Sequence, residues 1–339
     1  MMSETERISI ADATDLISRA LMASGATEAQ ARPTAVALVS AEAEGQVGHG
    51  FSRLEDYAAQ VKSGKINTDA AITVTALRPA SILINADCGF AYPAIETAIS
   101  ALIPVAKEMG IAVAAVGNSH HCGALSLQVE KLAKAGLIGM MFTNAPKAIA
   151  PWGSHQPLFG TNPIAFAAPR KEANPLIIDL SLSKVARGKV MNAKKQGKPI
   201  PEGWALDAAG NPTTDAEAAL GGTMLPIGDA KGAALALMVE ILAAPLTGSA
   251  FSYEAGSFFT AEGVRPRVGQ TLIAIRPNSD GTGFADRLEE LLKSITDLEG
   301  TRLPGTRRLA AIKAAEADGL TVPTRYLVAA RALASFHKT

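Results

Sequence analysis

The sequence predicts an α/β protein in which a β-rich body is flanked by helices from both ends of the chain. Two observations carry this reading. Residues 1–70 and 284–339 show helical patterning, whereas residues 71–283 alternate apolar β-like runs with helical stretches. No G-x-G-x-x-G opens a strand-to-helix turn anywhere in the chain, so the usual dinucleotide-binding fingerprint is missing.

Taken in order, Ser9 is placed to cap a helix that runs to Met22 and stops at Gly25. Thr27 with Gln30 forms a capping-box pattern for a second helix. Ser52 and Glu55 repeat that pattern for a third. Its Leu54, Tyr57, Ala58 and Val61 recur at i, i+3, i+4 and i+7, giving one buried stripe that ends at Gly64. Strands are then predicted at ITVTAL and SILINA, a helix over 94–109, a strand at IAVAAV, a loop over 117–123 and a helix from Ala124. Further strands are expected at LIGMMFT, PIAFAAP and LIIDLS, the first two separated by a long Pro- and Gly-punctuated loop over 144–162. Residues 228–248 read as a helix that is apolar nearly all round, suited to a core or an interface. After QTLIAIRP the chain turns helical to its end.

Composition bounds the function. With 48% apolar and 19% charged residues over 339 positions, the chain can bury a large core and is too apolar to stay disordered. Lys plus Arg equal Asp plus Glu at 32 each, so no net field recruits nucleic acid or a membrane surface, and any anionic ligand must be met locally. The two cysteines, Cys88 and Cys122, fit a reducing compartment, so a cytoplasmic location is expected. The acid-bearing, amphipathic start lacks the layout of a signal peptide, and no apolar run reaches the roughly 18 residues that span a bilayer.

His49 lies between Gly48 and Gly50, directly ahead of the Ser52 helix. Flanking glycines leave the ring uncrowded and imidazole exchanges protons near neutral pH, so His49 reads either as a proton-transfer group or as a turn residue. Arg53 falls in the first helical turn, where free N–H groups favour an anion. It reads either as a fork for a carboxylate or as a surface ion-pair partner. The strand, loop and helix around NSHHCGAL can present backbone donors to a phosphate or a nucleotide. Adjacent His120 and His121 do not make a zinc site, which needs three or four converging ligands, and no metal is expected. Cys122 reads as a small buried thiol. Thr161 and Asn162 are either polar contacts on a pocket wall or a structural turn, and His155 and His337 are expected to be solvated.

Together, GHGFSR, NSHHCGAL, PLFGTNPIAFAAP, LPIGDAKGAALALMVEILAAPLTG and RLPGTRR follow an order that resembles the bacterial and archaeal malate/L-lactate dehydrogenase family, which is unrelated to Rossmann-type lactate dehydrogenases. The likeness spans essentially the whole chain. It implies a non-Rossmann, NAD(P)-binding mixed β-sheet body over 71–283, a helical lobe of 1–70 with 284–339 on the substrate side, and a homodimer. It also implies that His49 is the catalytic proton donor and that Arg53 holds the substrate carboxylate, with Thr161, Arg187 and Gly188 on the substrate side. NADPH or NADH would be met by His121, Cys122, Gly123, Ala124 and Leu125, by Asp179, Leu180 and Ser181, and by Lys231. The loop of Pro304, Gly305, Thr306, Arg307 and Arg308 would complete the set, and Lys231, Arg307 or Arg308 would meet phosphate charge.

The reaction so implied is hydride transfer to C2 of a small 2-oxo carboxylate of the malate, lactate or sulfolactate type. Reduction of the cyclic imino acids Δ1-pyrroline-2-carboxylate and Δ1-piperideine-2-carboxylate is the alternative, and a non-catalytic nucleotide-binding scaffold is the rival from another class. Many family members carry a serine where Gly48 stands, and the imine branch carries an acid where Lys189 stands. HHCGAL nevertheless resembles the imine-reducing branch.

Overall fold

The computed structural model describes residues 4–277 and 283–335, and His337 lies outside them. Strand β1 (Thr5–Ile8) leads into helices α1 (Ile10–Ala23), α2 (Glu28–Ala43) and α3 (Leu54–Lys62). Ser9 caps α1 as expected, its hydroxyl accepting the Asp12 N–H at 3.0 Å. Of the other two capping expectations, Thr27 does take the N-cap of α2 but without the side-chain bond, and Ser52 is not the cap of α3. Gln30 instead uses its side-chain oxygen to accept the Phe90 N–H at 2.9 Å. Ser52 sits in a 3₁₀ turn (Phe51–Arg53) ahead of α3 and donates to Val47 O at 2.7 Å, because the chain is still closing the turn that carries His49.

The body begins with β2 (Thr73–Arg78), β3 (Ser81–Asn85), α4 (Ala91–Met109), β4 (Ile111–Ser119), α5 (Ser126–Lys134), β5 (Ile138–Thr143), β6 (Ile164–Ala168) and β7 (Leu176–Leu180). Helix α4 starts three residues before the expected 94, with Pro93 in its first turn, where no N–H is needed. Strand β4 absorbs the first part of the expected 117–123 loop because Ser119 still pairs with Val268, and α5 starts at Ser126 instead of Ala124. A small subassembly absent from the sequence reading follows: α6 (Arg187–Lys195), β8 (Ala205–Leu206), β9 (Pro212–Thr213), α7 (Ala216–Gly221) and β10 (Thr223–Met224). The chain ends with α8 (Ala230–Ala243), β11 (Val268–Ile275), α9 (Phe284–Thr296), α10 (Thr306–Asp318), β12 (Leu320–Pro323) and α11 (Thr324–Ala334).

Seven strands pair in the order β2-β3-β4-β11-β5-β6-β7, with β3 and β4 parallel and the other neighbours antiparallel. The sheet is therefore mixed, and it is not of the Rossmann type. Alternation along each strand sends neighbouring side chains to opposite faces: Met141 enters the core shared with α4 and α5, whereas Phe142 enters the one shared with α8. Helix α8 buries Ala233, Ala236, Val239 and Ala243 and leaves Leu235, Leu237, Met238 and Ile241 exposed. Helix α9 is tied to the residues just after β6 by Arg170 to Glu289 at 2.6 Å and Lys171 to Asp286 at 2.8 Å.

A third core gathers α1, α2, α3 and α11, and an antiparallel ribbon of β1 with β12 joins the two ends of the chain. Phe90 and Tyr92, at the start of α4, enter this same core. That junction sets the His49 turn and α3 against the residues that follow β4.

Candidate active site

His49 closes one 3₁₀ turn (Val47–His49) and Arg53 closes the next, with Gly50 between them. Gly50 is needed for close approach, since a Cβ there would lie 2.0 Å from Oε2 of Glu42. That oxygen accepts the Phe51 N–H at 2.9 Å, so Glu42 anchors the double turn from below. Burial pushes the Glu42 carboxyl up to about 7, against the opposing effect of the Phe51 bond.

The half-buried His49 ring stacks on His121, with centroids 5.2 Å apart and planes inclined by 22°. Burial, and then the positive charge of Arg53, lower the His49 pKa to about 4. Arg53 is only 8% exposed, donates from Nε to Gly48 O at 3.0 Å, and lies with its guanidinium 4.4 Å above the Phe259 ring. Nη1 of Arg53 and Nδ1 of His49 are both buried without a hydrogen-bond partner, although Nη1 stands 3.7 Å from Asp56 Oδ2 in an ion pair. An unmet buried polar group costs about 1–3 kcal/mol, more for a charged one, so both atoms favour a ligand that completes them.

The other side of this cleft follows β4. His121 Nδ1 lies 2.6 Å from the Tyr57 hydroxyl, itself 3.1 Å from the Tyr92 hydroxyl. Gly123, in the left-handed region at φ 66°, lets the chain pass Tyr92, whose hydroxyl would be 2.7 Å from any Cβ placed there. His120 turns away to Gln60. The Gln60 amide donates to Phe258 O at 2.9 Å, so its oxygen accepts from His120 Nε2, also at 2.9 Å. Burial lowers His120 to about 3 and holds His121 well below its ordinary value, leaving three uncharged imidazoles at neutral pH. Among the described residues, no group of three or more His, Cys, Asp and Glu is placed to hold a metal ion. Cys122 is buried as expected, and burial pushes its thiol up to about 12.

Three of the segments singled out in the sequence meet at the start of α5. The Ser126 N–H donates to Asp179 Oδ2 at 2.8 Å, its hydroxyl donates to Glu44 at 2.8 Å, and Glu44 also receives Arg308 at 2.6 Å. Burial raises the Asp179 carboxyl to about 6. Arg308 is ion-paired inside the protein with Glu44 and, at 3.6 Å, with Glu130, while its Nε and Nη2 lack a hydrogen-bond partner; Arg307 and Lys231 are exposed. Gly305, at φ 83°, brings the loop before α10 against Ile177 of β7.

The remaining candidates lie on the 144–162 loop, the segment after β7 and the start of α6. Thr161 O accepts the Leu182 N–H at 2.8 Å, and Leu182 O accepts the Ile227 N–H at 2.8 Å, just ahead of Lys231. Asn162 takes the structural role of its two alternatives, donating to Ala236 O at 2.9 Å and to Glu240 at 2.8 Å. Arg187 donates to Lys147 O at 2.8 Å, Gly188 is exposed with open space around it, and His155 is exposed as expected.

Sequence reasoning missed several residues of the cleft. Tyr57 and Gln60 lie four and seven positions after Arg53, so helical spacing from Arg53 could have found them. Phe258 meets Gln60 across 198 residues, and no local pattern marks it, Phe259 or the anchor Glu42.

The chain is similar to known proteins along nearly its whole length. A family model described as malate/L-lactate dehydrogenase matches residues 8–329. A (2R)-3-sulfolactate dehydrogenase (NADP(+)) from Chromohalobacter salexigens is 50% identical over 96% of this chain and 98% of its own length. A Δ1-pyrroline-2-carboxylate/Δ1-piperideine-2-carboxylate reductase from Pseudomonas putida is 38% identical over 96% of each. The crystal structure of Δ1-piperideine-2-carboxylate reductase from Pseudomonas syringae pv. tomato superposes with a TM-score of 0.92 at 37% identity, covering 97% of this chain and 100% of the other. With fold and sequence alike along nearly its whole length, the chain belongs to the malate/L-lactate dehydrogenase family of oxidoreductases.

Proposed function

We propose that the chain moves hydride between NAD(P)H, with NADPH preferred, and C2 of a small 2-oxo carboxylate, foremost one that also carries a sulfonate. The observation that carries this reading is the pair of buried atoms that lack a hydrogen-bond partner, Arg53 Nη1 and His49 Nδ1, on one double turn. The name of the 50% identical relative supports both the acid and the cofactor. Cyclic 2-imino carboxylates are the second reading, favoured by the 38% identical reductase and by HHCGAL after β4.

In either case Arg53 grips the carboxylate that adjoins the trigonal C2. Bound in the cleft, NAD(P)H supplies the hydride. His49 gives a proton to the oxygen on which negative charge builds, and in the oxidative direction the neutral ring takes that proton back. A carboxylate on Arg53 cancels the charge that helps to lower His49, so substrate docking itself readies the ring for protonation. For an imine, whose nitrogen already holds a proton, His49 positions it.

Fit to a dinucleotide is supported by the donors available. We assign to it the run His121, Cys122, Gly123, Ala124 and Leu125, the turn Asp179, Leu180 and Ser181, and the loop Pro304, Gly305, Thr306 and Arg307. The first turn of α8 with exposed Lys231 suits a phosphate, as does exposed Arg307, while Arg308 keeps Nε and Nη2 without a hydrogen-bond partner beside its ion pairs to Glu44 and Glu130. Thr161, Arg187 and Gly188 are assigned to the substrate side. We further assign 1–70 with 284–339 to a substrate-side lobe and 71–283 to the cofactor-binding body. The exposed leucines of α8 support a homodimer, checked by light scattering in solution. No helix among the described residues is long and apolar enough to cross a membrane, and the unpaired Cys88 and Cys122 support a cytoplasmic location.

The deciding experiment follows NADPH and NADH absorbance with sulfopyruvate, oxaloacetate, pyruvate and the two cyclic imines. Sulfopyruvate with NADPH is expected to give the highest kcat/KM. Faster turnover of an imine would establish the second reading, and cofactor binding without reduction of any compound would leave a nucleotide-binding scaffold.

A further inference from the structure

The stretch between α8 and β11 contains neither helix nor strand, yet it builds one wall of the cleft: Phe258 lies 4.9 Å from His121, and Phe259 lies 4.4 Å beneath the Arg53 guanidinium. A chain without a backbone ladder keeps its shape only through the groups that tie it down. The ties come from the end of α3 and the turn after it. Lys65, only 4% exposed, places Nζ 2.9 Å from each of three carbonyl oxygens, those of Ser257, Thr260 and Glu262. Ser63 donates its hydroxyl to Ala261 O at 2.9 Å, and Gln60 donates to Phe258 O at 2.9 Å. Three acceptors match the three N–H groups of an ammonium, whereas a neutral amine has two, so the geometry selects the charged form. Such a charge is tolerated out of water only when its donors are satisfied, and here the 257–262 loop satisfies all of them.

We propose that Lys65 is a positioning residue: its ammonium folds the 257–262 loop around itself, as a bound cation would, and so fixes the Phe259 ring on which the Arg53 guanidinium rests. The consequence for catalysis rests on the reading of Arg53 as the carboxylate fork. Lys65 touches neither substrate nor reacting atoms. Its effect is to set the plane of the fork, and hence the affinity for the acid.

Lys65→Met keeps an unbranched stem and removes all three donors. Hydrogen exchange read by mass spectrometry on the full chain is expected to quicken over 257–265 while α1 and β4 stay unchanged. KM for the 2-oxo acid is expected to rise about tenfold or more with kcat altered less than about threefold, because His49 is left in place. Ser63→Ala, at an exposed position, leaves the Lys65 ammonium in place while removing the bond to Ala261 along with local bonds to Gln60 O and the Lys65 N–H, and is expected to shift both readings the same way by less; it carries the test if Lys65→Met does not fold. Unchanged exchange over 257–265 in the folded variants overturns the clamp, whatever the substrate. Faster exchange with unaltered KM overturns its link to Arg53. The exchange reading needs no turnover, so a wild-type chain inactive toward every acid would count against the proposed function while the clamp is still judged.

Discussion

The His49 ring stacks on His121 with centroids 5.2 Å apart, and Arg53 adds to burial in keeping both imidazoles uncharged. This fixes the direction of the pH response. Oxidation needs neutral His49, which persists down to its depressed pKa of about 4. The kcat/KM for oxidation should therefore stay level to about pH 5 and fall only below that, where an ordinary histidine would already lose activity below about 6.5. Reduction needs the protonated ring, and a carboxylate on Arg53 raises its pKa, so kcat for reduction should persist to higher pH than kcat/KM does. Rate profiles in both directions test this. An oxidative limb at the ordinary histidine pKa would contradict an imidazole lowered by burial and by Arg53.

The two residues of the double turn should separate in kinetics. His49→Ala is expected to lower kcat by about 10²- to 10⁴-fold with the NADPH dissociation constant unchanged. Arg53→Ala should chiefly raise KM, by about tenfold to a hundredfold, as expected for a lost charge-assisted bond. Arg53→Lys should not restore it, since an ammonium cannot reproduce both the Nε bond to Gly48 O and the face-on contact with Phe259. Steady-state rates alongside NADPH fluorescence titration read both effects.

His49 and Arg53 were legible as candidates because their chemistry is local: glycines beside a histidine and an arginine at a helix entrance fall within six residues. Most strands of the large sheet were legible for the same reason, as apolar runs of five or more residues between turn signals. The two-residue strands β8 to β10 hold too little pattern to be read. The capping-box reading of Ser52 failed because that motif does not register a 3₁₀ turn already in progress. Phe258, Phe259 and Lys65 escaped because they acquire meaning only when the chain folds back across almost two hundred residues, and Glu42 because only the bare backbone of Gly50 lets it sit beneath the site.

Gly48 and Gly50 should respond oppositely to one added methyl group. No atom lies within 4 Å of a Cβ built on Gly48, so Gly48→Ala should keep the fold, with stability within about 0.5 kcal/mol of the wild type. A Cβ on Gly50 would meet Glu42 Oε2 at 2.0 Å and its Cβ and Cδ at 3.0 Å. Gly50→Ala should therefore displace the carboxyl that anchors Phe51, cost about 1–3 kcal/mol and move His49 with the turn. Urea midpoints and kcat of the two variants, measured together, check the contrast. Equal behaviour would mean that Glu42 does not hold the turn.

Glu42 itself predicts a pH-dependent stability difference. Its carboxyl is raised from 4.5 to about 7 by burial, so between those values the folded protein keeps a proton that the unfolded chain releases. The stability this contributes is fully present below about 4.5 and is lost as pH rises through about 7. Glu42→Gln retains an oxygen for the Phe51 N–H and carries no charge at any pH. Relative to wild type, the variant should show no gain in acid, then become progressively more stable with rising pH, reaching about 3 kcal/mol above neutrality. Urea denaturation of both proteins across this range measures the difference directly. A gap that does not change with pH would mean that the Glu42 carboxyl is solvated, and the anchoring of the His49 turn would have to lie elsewhere.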